Sequence, residues 1–422
     1  MPRPPRPPAP PRAPLPREVV VLGWVSFFND VSSEMIYPLL PLFMVVVLGA
    51  SATSLGWVEG VAQGVVALLS AWVGWRSDRF RRRVPYVRWG YGLPVIGKGL
   101  LVTAVSWPMV LLGRTVDRVG KGIRSSPRDA LIADTTPAAD RGRAFGLHRT
   151  MDSAGAVVGV LGSALLLWWL SGSPVEGATT AQVAHTATAF RTIFAIAAGL
   201  GLAALACTLL LREPPHDAGP AAASGPPPTL RDGLRGLSRG YWIVMAFLLL
   251  FSLANSSDTF LLLRASQVGL APWEVVLIYA LYSLVYTLAS YPAGLLSDRV
   301  GRWPLLGVGW AIYAAVYLGL AVTGATAIWP LLAVYGLYIA LTDGVGKALL
   351  ADHVPRARRG LALGLFYMAS GGTMVAASVV AGLLWDRVGP AAPFWFGGAT
   401  AAVAVALVLV VRPWRVTSTI AA

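Results

Sequence analysis

Charge is what this chain has least of. Only 13% of its 422 residues are Asp, Glu, Lys or Arg, against 56% hydrophobic, and its mean hydropathy is +0.64. A soluble domain of this length would aggregate with such a composition, so the chain belongs in a bilayer. Cysteine is nearly missing, and the lone Cys207 excludes an internal disulfide. His148, His185, His216 and His353 are scattered over loops and helix ends and offer no metal cage. No H-E-x-x-H, C-x-x-C or G-x-S-x-G is found. Gly120, Lys121 and Gly122 look like the close of a phosphate-binding loop, but the glycine five residues earlier and the hydroxyl after the lysine are lacking. Neither an enzyme nor a bound cofactor is therefore expected.

Arginine is abundant. The formal net charge is +14, which on one soluble face would suggest nucleic acid. Here the arginines fall in short loops between apolar runs, so nucleic acid is not expected as a partner. Runs long enough to cross a membrane, roughly 20 residues each, lie near 19–47, 56–75, 86–106, 107–133, 144–170 and 189–211. A second set follows near 241–264, 273–296, 304–323, 327–351, 361–385 and 393–411. The expected organisation is a Pro/Arg-rich disordered tail (1–17), a six-helix bundle (18–211), a linker rich in proline and glycine (212–240), a second bundle (241–411) and a short tail (412–422). Loop charge fixes the expected sidedness. The segments 3–17, 76–88, 124–149, 212–239, 299–302, 356–359 and 412–415 hold the arginines, whereas 49–55, 106–107, 171–189 and 321–327 contain no lysine or arginine. Both termini are then cytoplasmic, with Arg264 and Arg387 as exceptions.

The chain also repeats itself. Gly74, Asp78, Arg79 and Arg82 in GWRSDRFRRR return as Gly294, Asp298, Arg299 and Arg302 in GLLSDRVGR. Residues 128–134 match 346–352, and 141–146 match 359–364, at one offset; Ser32, Ser33 and Glu34 are echoed by Ser256, Ser257 and Asp258. The hinge pattern resembles the G-x-x-x-D-R-x-G-R-R loop signature of the major facilitator superfamily, the twelve-helix secondary transporters. The resemblance covers nearly all of 19–411. The first copy departs from it, with Phe80 and Arg81 where a residue and a glycine are usual.

That resemblance implies an all-α membrane protein, twelve transmembrane helices in two pseudo-symmetric six-helix bundles, with a solute pathway between them. It implies a monomer in the cell's inner membrane that works by alternating access. It further implies that Asp78 and Arg79 latch the second helix to the eleventh, with Asp298 and Arg299 acting likewise near Arg141 and Arg143. The bland alternative for both hinges is topogenic charge alone.

Ionisable groups inside helices are costly and seldom kept without a use. Asp30 and Glu34, in FFNDVSSEMIYP, are four residues apart on one helical face. Two carboxylates stacked at low dielectric do not both stay ionised, so the pair is the expected proton carrier. The alternative is that both are ionised and paired with arginine as structural glue. On the fourth run Arg114, Arg118, Lys121 and Ser125 recur every three or four residues, with Asp117 among them. This stripe either binds an anionic or zwitterionic solute or forms a neutralising network with Asp30, Glu34 and Asp117. Arg114 falls where the superfamily resemblance places its fourth-helix arginine. Asn29, Lys98, Asp258 and Asp343 complete the expected cavity, although Asp343 and Lys347 are spaced to neutralise each other. Glu59 and Glu274 are expected near outer helix ends, cheaply solvated. The antiporter branches' G-P-x-x-G-G is only partly matched by Gly155, Gly159 and Gly162, with Val160 and Ser163 in place of its proline and last glycine. The leading expectation is proton-coupled efflux of a small molecule, followed by proton-coupled uptake of an organic anion or zwitterion. A non-transporting membrane sensor or scaffold is the alternative of another class.

Overall fold

In lipid an apolar run of about 20 residues becomes a helix, because only an internally bonded backbone satisfies its own amides there. The computed structural model describes residues 14–80, 82–137, 141–171, 180–213, 237–354 and 359–411, and among them no strand is present. Twelve long helices follow in order: α1 (Arg17–Glu34), α2 (Ala52–Phe80), α3 (Val84–Val102), α4 (Trp107–Thr135), α5 (Arg141–Ser171) and α6 (Thr180–Thr208), then α7 (Arg239–Ala254), α8 (Pro272–Val300), α9 (Arg302–Val322), α10 (Ile328–Asp352), α11 (Arg359–Arg387) and α12 (Ala392–Val411). Among the described residues ten segments are long and apolar enough to cross a membrane. The other two, α3 and α4, fall short because they carry charges and glycines in mid-helix.

Two of the expected runs are broken. The 19–47 run is a regular α-helix only to Glu34; Pro38 and Pro41 then remove backbone donors, and short pieces follow, 3-10 over Tyr37–Leu39, α over Leu40–Leu42 and π over Phe43–Val47. The 241–264 run stops at Ala254 and resumes as Thr259–Gln267. Its freed carbonyl at Ala254 accepts from the Tyr313 hydroxyl at 2.7 Å. Both breaks lie beside an acid, Glu34 in one half and Asp258 in the other.

Glycine sets the closest crossings. A Cβ at Gly155 would stand 2.5 Å from the Phe27 carbonyl oxygen, and one at Gly159 equally close to that of Val31, so α5 lies directly on α1. Gly162 meets nothing within 4 Å. Between the halves, α2 packs along α11 and α5 meets α8. At the arginine-poor face Asp386 of α11 reaches across to the start of α2, where its carboxylate accepts from the amides of Ala52 at 3.0 Å and Thr53 at 2.8 Å. That is an N-cap supplied by the other half.

One charge exception is explained by capping. Arg264 donates to the Leu320 and Ala321 carbonyls at the end of α9, at 3.0 and 3.1 Å. Arg191 does the same for α3, donating to Val102 and Ala104. Each guanidinium sits at a helix C-terminus, where the macrodipole favours a cation.

Gly155→Val should cost about 1–3 kcal/mol, the usual penalty of forcing bulk into a filled site. Gly162→Ala should stay within about 0.5 kcal/mol, as for a substitution away from any tight contact. Thermal unfolding in one detergent reads both, and equal effects would refute the packing explanation.

Candidate functional site

The site is built where α1, α2, α4 and α5 meet and where α8 reaches over from the other half. Arg114 is buried and its Nη2 lies 2.9 Å from Glu59 Oε1 of α2. Glu59 is fully buried, which corrects the expectation of a cheaply solvated end residue. α2 begins at Ala52, so Glu59 stands two turns inside the helix. Glu274 does sit at a helix start, accepting from the Ala271 amide at 2.7 Å. Asp117 lies 3.9 Å from Arg114 and 3.6 Å from Arg118. Arg124 turns aside, donating to the Gly90 carbonyl at 3.0 Å with its guanidinium over the Tyr91 ring.

Among the described residues neither Asp30 nor Glu34 forms an ion pair with arginine or lysine, so the structural-glue alternative finds no support in the contacts. Arg114 pairs with Glu59 rather than with the α1 acids. Asp30 accepts from Asn29 at 2.9 Å and faces Asp152 of α5, carboxyl to carboxyl. Asp152 is held by Ser26 at 2.7 Å and Arg149 at 3.1 Å. Glu34 accepts from the Tyr279 hydroxyl of α8 at 2.6 Å, a bond between the two halves. Though Asp30 and Glu34 share a helical face, their partners are different.

Lys98 is buried and donates to Ser32 at 2.6 Å and Ser33 at 3.2 Å; Ser32 in turn donates to the Ala197 carbonyl of α6. Lys121 is exposed and pairs with no described acid. In the second half Asp258 accepts from Tyr335 at 2.7 Å and from Tyr282 at 3.5 Å. Asp343 and Lys347 neutralise each other at 2.6 Å, as their spacing predicts.

Two hollows meet at Asp343, mostly within the second half. One, of about 300 Å³, is lined by Tyr37, Gln63, Asn255, Asp258, Trp310 and Asp343 among others. The second, of about 480 Å³, runs past Asp343, Ser290 and Ser297 to Arg302 near the arginine-rich face.

Of the hinge residues, the side chains of Gly74, Asp78, Arg79 and Asp298 and of their expected partners Arg141 and Arg143 lie outside the described set. Arg82 and Arg299 are exposed. Arg302 pairs with Asp352 at 2.6 Å, inside its own half. Gly301 has a φ of +89° between α8 and α9, a turn that side chains resist. Glu59, Asp152 and Tyr279 were not among the site residues expected from the sequence. Asp152 was findable as an acid in mid-helix, and Tyr279 as the first of Tyr279, Tyr282 and Tyr286, spaced along one helix face.

The family model for the Major Facilitator Superfamily matches residues 22–342 and 262–419. The chain belongs to the major facilitator superfamily. This superfamily member is 33% identical over 402 residues to an uncharacterised MFS-type transporter of Methanocaldococcus jannaschii, covering 94% of this chain and 95% of the relative. Over 149 residues it is 32% identical to the multidrug resistance protein MdtH of Photorhabdus laumondii, 35% of each chain. Among solved structures a point mutant of the nucleoside transporter NupG superposes with a TM-score of 0.72 at 15% identity, over 93% of this chain and 99% of that one. The protein is thus a multi-pass membrane transporter of small molecules and not an enzyme.

Glu59→Gln or Arg114→Gln alone leaves a buried charge uncompensated and should cost about 3–5 kcal/mol. The double variant should recover much of that loss. Unfolding of all four proteins in one detergent gives the coupling, and purely additive losses would show that the pair does not act as one unit.

Proposed function

We propose that this transporter exchanges protons for an exported small molecule, with Asp30 and Glu34 as the proton carriers. The observation that carries the reading is Glu34: half-buried in the bundle, without an ion-pair partner among the described residues, and bonded across to α8 through Tyr279 at 2.6 Å. An ionised carboxylate holds a phenol more strongly than a neutral one. The empty, deprotonated protein is therefore held closed where α1 meets α8. A proton on Glu34 weakens that bond. A solute can weaken it too, because Tyr37, which lines the smaller hollow, packs on Tyr279 with ring centroids 5.5 Å apart. Release by either ligand alone, and not by neither, is the rule that exchange requires; co-transport needs both together.

Asp30 and Asp152 supply the second proton position, since two facing carboxyls readily share one proton. The local likeness to a protein named for multidrug resistance agrees with export. The charge distribution favours an inner-membrane protein with cytoplasmic termini; membership of the superfamily favours a monomer, and a cytoplasmic latch at Asp78, Arg79 and their second-half counterparts fits the same cycle.

The test uses proteoliposomes with an internal pH dye and a compound chosen because it raises the melting temperature of the purified protein. The compound should drive proton movement in the wild type, and Asp30→Asn with Glu34→Gln should abolish it while binding persists. Tyr279→Phe should let protons leak without solute. Normal coupling in the doubly neutralised variant would sink the assignment.

A further inference from the structure

Resting on that transport reading, we propose that the solute is a small organic cation, a protonated amine on an apolar or aromatic body, seated between Asp258, Asn255 and Trp310. The hollow there measures about 300 Å³, at the small end for a ligand site. Besides tyrosines its lining holds three ionisable side chains, Asp258, Asp343 and Lys347. Lys347 is bound to Asp343 at 2.6 Å, so those two cancel and Asp258 is the charge left over. Two phenols donate to Asp258, Tyr335 at 2.7 Å and Tyr282 at 3.5 Å, and a carboxylate has room for further donors. Asn255 lines the same hollow, and its buried Oδ1 receives no hydrogen bond from any described group. A buried acceptor without a donor is costly, and an ammonium placed between the two oxygens supplies the protons that both can use.

The rest of the wall suits the body of such a molecule. Phe251 stacks on Trp310 at 4.8 Å and 5°, with Tyr338 5.8 Å from Phe251, and all three line the hollow. Aromatic faces attract a cation and bury its apolar part together. An anion meets the opposite: Asp258 repels it, Lys347 is already engaged, and Arg118 and Lys121 of α4 do not reach this lining. Asp343 borders both hollows, so the second hollow lies between the site and the arginine-rich face, the side from which an exported solute enters.

Equilibrium binding to the purified full-length protein in detergent tests this without any gradient, so a failure here is separable from a failure of proton coupling. The probe is radiolabelled phenethylamine; 3-phenylpropionate and 2-phenylethanol, of similar size, are the anionic and neutral competitors. Phenethylamine should bind saturably, and each competitor should be weaker by about tenfold or more, the worth of a charge-assisted hydrogen bond. Asp258→Asn and Asn255→Leu should each weaken phenethylamine by about the same factor. Asn255→Leu keeps every charge in place, so it remains informative if Asp258→Asn fails to fold. Tighter binding of 3-phenylpropionate, no saturable binding of phenethylamine, or unchanged affinity in the variants overturns the proposal.

Discussion

The ion pair between Arg114 and Glu59 is the constraint on which the N-terminal half depends. A guanidinium and a carboxylate can lie out of water only if each compensates the other, and separating them leaves a charge that the interior cannot solvate. Because the partners come from α4 and α2, the pair fixes how those helices are rotated. With Arg114 committed to Glu59 and Arg118 beside Asp117 at 3.6 Å, neither pairs with Glu34, whose carboxylate meets a phenol from the other half instead.

The two halves solve the same problem with different partners. Each first helix breaks beside an acid, and each acid is held by tyrosine: Glu34 by Tyr279, Asp258 by Tyr335 and Tyr282. Tyr279 and Tyr282 are one turn apart on α8, their rings 5.2 Å apart edge to face. One helix thus touches both acids. The third helix of each half also ends under an arginine, though from a different place: Arg191 of α6 caps α3, and Arg264, from the piece after α7, caps α9.

Much of this was legible in the sequence. Apolar runs gave the twelve helices, and the repeat with the loop signature gave the family, because hydropathy and glycine-aspartate-arginine hinges are local properties. The pairing of Asp343 with Lys347 was equally readable, since four residues along a helix is a fixed distance. What could not be read was which helix lies against which. Glu59 looked like an end residue until the start of α2 was known, and its pairing with Arg114 spans 55 positions. Asp30 and Glu34 looked like partners of each other, yet neighbouring helices divide them, one toward α5 and one toward α8. The breaks after Glu34 and Ala254 were also hidden: Pro38 and Pro41 were visible, but an apolar run reads as continuous whatever its backbone does.

The cap that Asp386 places on α2 has an asymmetric consequence. Its donors are main-chain amides of Ala52 and Thr53, which any residue other than proline would supply. Sequence drift along the first turn of α2 therefore leaves this seam intact, while a change at position 386 unfastens it. The hydrogen bonds that join the halves there hang on that one carboxylate, while Ser51, just before α2, closes the same turn from within by accepting from the Ser54 amide at 3.1 Å.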